Sequence, residues 1–401
     1  MRLIEPMIAL FDSPQQRRTH LWLPILMGIL GGFILALTLV VMEKLSHLIW
    51  QQQYQQNPFV IFAVFAIGGL IIGLLQQKLA QLKQTQSGQG SDPLRLGIVI
   101  LIGILAVGLG ASIGPEAALI AAGAEMAWVI GHYLHASQRE SAYIERLGQE
   151  ATMGGAYSAP AAALEPEMAE APKIHIFARV LTIICAIVGF YVSMKLLNPE
   201  GSLHRIHLMT AEQSLNLWAP LAAALVAGFL TVLFVRLGHR VMQDSEQFMH
   251  SPLYRGVFTG VLMGMVFAIH PFLRGAGYYE LEYLQTHEIG LWILLLIAVL
   301  KLMLTLLSAT GGWLGGVIFP LFFVGGALGA AMVQIIPGNV DAAMLAAMTS
   351  ATYISLRKPI ILLMLMVLLV ENLQIPALLV GLGVGMLLER LLMGDMEVKG
   401  H

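Results

Sequence analysis

The sequence is short of charge. It holds 22 Lys and Arg and 24 Asp and Glu among 401 residues, 11% in all, against roughly 25% in soluble domains. A soluble globule of this size has more surface than that charge can cover. This excludes a cytosolic enzyme and a disordered chain. The net charge of −2 gives no basic footprint for a nucleic acid. Cysteine is nearly absent. Cys185 alone permits no intrachain disulfide and no multi-cysteine metal site, and beside Ile183, Ile184 and Ala186 it reads as a packed apolar residue. No P-loop and no G-x-S-x-G elbow is present. His287-Glu288 lacks the second histidine of a zinc-protease helix, and His132 and His135 read as a solvated helix end. The chain is therefore not expected to be an enzyme or to hold a cofactor or metal.

Apolar residues make up 57% of the chain. Leu21–Met42, Leu96–Pro115, Gln213–Val235 and Leu302–Val340 carry no charge at all. A spanning helix needs about 20 apolar residues, so the chain is a polytopic membrane protein. Candidate segments are 21–50, 58–77, 95–110, 114–131, 151–168, 174–197, 213–237, 254–271, 289–308, 316–335, 341–355, 358–371 and 374–392, several too short to cross alone. No ten-residue alternation suggests a barrel, so the fold is all-α. The polar, basic residues before Leu21 read as a cytoplasmic tail, not a secretory signal. Arg2, Arg17 and Arg18 precede the first span, and Lys78, Lys83 and Arg95 lie in or near the loop after the second, which places the N-terminus in the cytoplasm. The expected location is integral to a membrane, with many passes.

Gly31-Gly32, Gly68-Gly69, Gly325-Gly326 and Gly381, Gly383, Gly385 lie within apolar segments and read as close helix packing. Two glycine-rich stretches differ by ending in proline. One is Gly110-Ala111-Ser112-Ile113-Gly114-Pro115-Glu116; the other is Gly311-Gly312-Trp313-Leu314-Gly315-Gly316-Val317-Ile318-Phe319-Pro320. Each is an extended approach to a helix N-terminus, with proline at the first turn. A second pair of breaks falls at Pro160 and Pro359. The offsets between the halves are 205 and 199 residues. Paired breaks are the pattern of an inverted-repeat transporter. The expected layout is a tail at 1–20, repeats at 21–200 and 201–392, and a tail at 393–401. Converging helix N-termini form an anion site that needs no cationic side chain. The expected cargo is a small anion.

In their order, these residues resemble the CLC family of chloride channels and transporters. Ser112-Ile113-Gly114-Pro115-Glu116 is similar to its G-x-E-G-P loop, Gly315–Pro320 to its G-x-F-x-P loop, and Gly155–Pro160 to its segment ending in Ala-Pro. Leu273–Tyr279 is similar to a glycine-rich loop of its second half, and Leu373–Pro376 through Gly383 to its penultimate long helix. The resemblance covers roughly 21–390 and is nearest in form to a divergent bacterial branch with S-[IL]-G-P-E. It implies a homodimer in a lipid bilayer with one pathway per subunit. Chloride is the expected anion, with fluoride and nitrate open. It implies anion coordination by amides around Ile113, Gly114, Val317 and Ile318, in loops that also contain Ser112, Pro115, Gly316 and Phe319. Ser91 is the best match to the family's inner serine.

This sequence departs from the family at the gate. The external gating glutamate falls on Ile113, which takes no proton, so passive, channel-like conduction is favoured. Glu116 lies about one helical turn on and has two readings: a displaced gate of a proton-coupled exchanger, or an acid complementing its helix dipole. Gapless counting places the internal proton glutamate at Glu170, with Glu165 and Glu167 as competitors. No pore tyrosine and no cytoplasmic regulatory pair is identified. Lys301, inside an apolar segment, must face protein or water and reads as an electrostatic aid to the anion. Glu371 reads as a hydrogen-bond anchor. A membrane-embedded enzyme or a non-transporting scaffold is the rival from another class.

Overall fold

The computed structural model describes residues 14–50, 57–85, 93–135, 138–156, 176–199, 205–208, 216–248, 251–270, 273–277 and 280–393. Among them are the helices α1 (Pro14–Ile49), α2 (Pro58–Thr85), α3 (Pro93–Gly108), α4 (Glu116–Tyr133), α5 (Gln138–Ala156), α6 (Ile176–Leu197), α7 (Trp218–Phe248), α8 (Pro252–Ile269), α9 (Leu281–Thr286), α10 (Leu291–Thr310), α11 (Ile318–Val333), α12 (Val340–Leu356), α13 (Pro359–Leu369) and α14 (Ile375–Met393). Two short strands, β1 (Ile206–His207) and β2 (Val370–Glu371), pair in parallel. Seven described helices are long and apolar enough to cross a bilayer, whereas α3, α11, α12 and α13 are apolar but shorter than the roughly 20 residues a crossing needs. The architecture is thus all-α and polytopic with broken helices.

Two compact units are present, and they interleave along the chain. One comprises Met1–Val41, Leu82–Leu101 and Ala118–Ser202; the other comprises Met42–Gln81, Ile102–Ala117 and Leu203–His401.

Small residues set the helix spacing in the first unit. A side chain on Gly28 of α1 would overlap Cys185 Cβ and Thr182 O, and one on Gly32 would overlap the α6 backbone at Ala186 and Phe190. Gly189 of α6 meets the Ile29 carbonyl in the same way. Cys185 is a free thiol within this packing. The sequence reading passed over α5, whose residues Gln138–Glu150 resemble a polar loop. It is an amphipathic helix that buries Glu150. Arg179 of α6 donates to Glu150 Oε1 through Nε (3.1 Å) and Nη2 (3.0 Å), and Arg146 Nε lies 3.6 Å from the same oxygen. Arg95 and Glu125 form a second ion pair at 2.8 Å.

In the second unit α11 and α12 form the core. Gly325 and Gly329 of α11 lie directly on the α12 backbone at Met348 and Met344, and α12 is buried from Asp341 to Ile354. Asn339 caps α12 by accepting from Ala342 N–H at 2.8 Å. Left-handed Arg357 (φ 52°) ends it, and Pro359 opens α13, so the break read from the sequence at this point is present. Glu371 does anchor hydrogen bonds: Arg205 Nη1 reaches Oε1 at 3.3 Å and His207 Nδ1 lies 3.0 Å from Oε2. Gly383 alone of the glycines singled out by sequence faces open space.

The helices α2 and α8 also touch through backbone. A Cβ on Gly69 would lie 2.5 Å from Gly256 O and 2.9 Å from Gly260 Cα. No flexible side chain is there to yield. Gly69→Ala is expected to destabilise the protein by about 1–3 kcal/mol, the usual cost of overpacking, measured as a lowered midpoint of unfolding in detergent.

Candidate functional site

The candidate site lies wholly within the second unit and is built from two matching loops. Two residues beyond α3 the chain turns at Gly110 (φ 83°), and Gly110 and Ala111 N–H close back on Val107 O and Ala106 O. Two residues beyond α10 it turns in the same way at Gly312 (φ 78°), with Gly312 and Trp313 N–H bonded to Ala309 O and Ser308 O. Only glycine adopts this left-handed turn without a steric cost. Six residues after each glycine a helix begins, α4 at Glu116 and α11 at Ile318. The loops join midway: Gly114 N–H donates to Gly316 O at 2.8 Å and Gly316 N–H to Gly114 O at 2.6 Å. Corresponding glycines are therefore 202 residues apart, not the 205 that aligning the prolines gives. Pro115 directly precedes its helix, while Pro320 is the third residue of its own, so the two prolines are not equivalent.

The paired glycines bring two helix N-termini together, and the Glu116 carboxyl group lies between them. Glu116 is 4% exposed. Its Oε1 accepts from Phe319 N–H at 3.2 Å, and the amides of Ile318 and of Glu116 itself also face the carboxylate. Oε2 is buried with no hydrogen-bond partner. The carboxylate rests against Cα of both Gly114 and Gly316, and a methyl on either would overlap it. Exposed amides and the N-terminal ends of α4 and α11 both favour negative charge here.

The remaining loop residues support this centre. Ile113 is 1% exposed and packs on Gly315. Val317 is the N-cap of α11 and has helical φ and ψ. Ser112 is fully buried, with its hydroxyl 3.3 Å from Thr305 Oγ1. Thr305 donates in turn to Lys301 O at 2.9 Å, so the Ser112 proton points to Thr305. Trp313 is buried and stacks on Phe65 at 5.9 Å, and Phe65 stacks on Trp50 at 6.2 Å. Gln76 Nε2 donates to Gly312 O at 2.7 Å.

Lys301 is completely buried. Its ammonium donates to Leu273 O at 3.0 Å and Gly275 O at 2.5 Å. Sequence reasoning missed Thr305, and it singled out the loop at Leu273–Tyr279 by resemblance without its bonds to Lys301. The stripe Lys301, Thr305, Ser308 at helical spacing was the available signal for the former; no local signal marks the carbonyls that receive a lysine. Ser91 and Glu170, with Glu165, Glu167 and Pro160, lie outside the described residues. Among the described residues no group of three His, Cys, Asp or Glu side chains gathers to hold a metal.

The profile of the family described as "Voltage gated chloride channel" matches residues 68–390. A relative named "Putative ion-transport protein YfeO" from Escherichia coli O17:K52:H18 is 24% identical over 339 residues, spanning 77% of this chain and 78% of its own. The protein of that name from Escherichia fergusonii is 25% identical over 339 residues with the same shares. Among solved structures, a slow cyanobacterial Cl−/H+ antiporter superposes with a TM-score of 0.75 at 18% identity, covering 95% of this chain and 96% of its own. A CLC-type fluoride/proton antiporter superposes with a TM-score of 0.74 at 16% identity, covering 95% and 98%. At these identities the structural likeness speaks for the fold, and the profile match, running through both glycine loops, speaks for the family. This integral, multi-pass membrane protein belongs to the voltage-gated chloride channel (CLC) family, whose members carry anions.

Proposed function

We propose that this chain moves a small inorganic anion, chloride foremost, across a bacterial inner membrane, and that Glu116 is its gate. The Glu116 carboxylate on the Phe319 amide carries the reading. A carboxylate oxygen is itself a small anion held by backbone donors, so it stands where a halide would bind. Coordination then falls to the amides of Val317, Ile318 and Phe319, because the N–H groups of Ile113 and Gly114 already bond to Ala111 O and Gly316 O. An incoming anion displaces the carboxylate, and protonation removes the charge that competes with it. Proton and anion occupancy thereby become linked, which is the basis of exchange. The Cl−/H+ and F−/H+ antiporters that share the fold fit this scheme. The N-terminus is assigned to the cytoplasm, the repeats to 21–200 and 201–392, and the assembly to a homodimer with one pathway in each subunit.

The second reading is passive conduction, favoured by Ile113 at the family's gate position. Purified protein in chloride-loaded liposomes distinguishes the two when chloride efflux and internal pH are followed together. Proton uptake driven by the chloride gradient is expected. Efflux without proton movement supports the passive reading. No efflux of chloride, fluoride or nitrate contradicts anion transport.

A further inference from the structure

Lys301 is the one charged residue in the 20-residue helix α10. Its complete burial excludes snorkelling to an interface. A buried ammonium persists only where donors are satisfied and charge is balanced. Here the donors reach Leu273 O and Gly275 O, and the Phe323 ring lies 5.1 Å from Nζ. Glu280 interacts electrostatically with Lys301 and with Arg274.

The two carbonyls belong to a loop that has a second attachment. Gly275, left-handed at φ 70°, donates its N–H to Gly110 O at 2.7 Å. Gly110 is the hinge from α3 into the anion loop. The Arg274 guanidinium lies 3.7 Å above the Trp50 ring, and its side chain packs at Gly110. One helical turn beyond Lys301, Thr305 holds Ser112 of the same loop. The helix α10 therefore grips the anion loop at two points, directly through Thr305 and through an intervening strap at Lys301.

We propose that Lys301 is a positioning residue: its ammonium clamps the 273–277 loop to α10, and that loop fixes Gly110 and with it the backbone of residues 111–116, which is paired to the second glycine loop through Gly114 and Gly316. The consequence for transport rests on the pathway proposed above; the clamp itself can be read without it. Anion selection by amides depends on their spacing, and mutations along a packed network shift such coupling by about twofold to thirtyfold.

The test uses Lys301→Met, which keeps length and removes every donor. Hydrogen exchange on the whole protein is expected to be about tenfold faster in peptides covering 273–277 and 110–114, with α12 unchanged. In liposomes the ratio of chloride to nitrate flux is expected to change severalfold, a ratio that the amount of folded protein cannot move. Gly277→Ala displaces the same loop from Phe323, where its Cβ would come within 2.6 Å, yet leaves the lysine intact. It is expected to reproduce both changes and serves if Lys301→Met does not fold. Unchanged exchange in the two loops, a uniform rise along the chain, or local loosening with an unaltered flux ratio overturns the proposal. If the wild type carries no anion, the pathway reading fails, the link to selectivity falls with it, and the exchange data alone decide the clamp.

Discussion

Gly316→Ala is expected to remove nearly all anion transport while the protein remains folded. The added Cβ overlaps Glu116 Oε2 and comes within 3.1 Å of Glu116 Cβ. The end of a flexible side chain yields, so the carboxylate is expelled and the paired backbone survives. The methyl group then fills the niche between the two helix N-termini. A preorganised anion site that loses its geometry loses on the order of a hundredfold in rate, and a drop of about that size in chloride flux is expected, with the melting temperature unchanged. Gly114→Ala meets the same carboxylate and should behave alike. Gly383→Ala, whose Cβ would meet nothing within 4 Å, is the control and should transport normally. Normal flux through Gly316→Ala would place the anion elsewhere.

Glu150→Gln is expected to be the most destabilising single substitution considered. Arg179 is 6% exposed and Glu150 8%, and both Arg179 donors converge on one carboxylate oxygen with Arg146 alongside. Removing the negative charge deprives a buried guanidinium of this carboxylate, and breaking a buried ion pair from one side costs about 3–5 kcal/mol. The loss is read as a lowered unfolding midpoint in detergent. Replacing both members, Glu150→Leu with Arg179→Leu, removes both buried charges and should recover much of that loss. If the double variant is less stable than Glu150→Gln, the pair itself, not the orphaned charge, is what holds α5 to α6.

Fold class was legible because the shortage of charge leaves few alternatives, and long uncharged runs mark most of the helices. The helix α5 was not legible. Its polar residues look like a solvated loop, and only a partner distant in sequence, Arg179, explains why Glu150 is inside. The glycine loops were legible as helix approaches, since each glycine-rich run leads to a proline suited to the first turn of a helix. Their register was not, because a proline serves equally before a helix or within its first turn. Glu116 was visible as an acid at a helix N-terminus. That its carboxylate reaches the amide of Phe319, 203 residues away, follows from the Gly114–Gly316 pairing, which no local pattern encodes. Lys301 was visible as a buried cation for the same reason any lysine in an apolar run is; its carbonyl partners were not.

The central claim is that the Glu116 carboxylate occupies the anion site and couples it to protons. The most direct measurement is paired chloride efflux and internal pH in liposomes containing Glu116→Gln. The amide keeps the shape and cannot carry the charge or titrate. Chloride efflux that continues while chloride-driven proton uptake disappears is the result expected. Proton uptake that persists at the wild-type ratio in Glu116→Gln would contradict the claim.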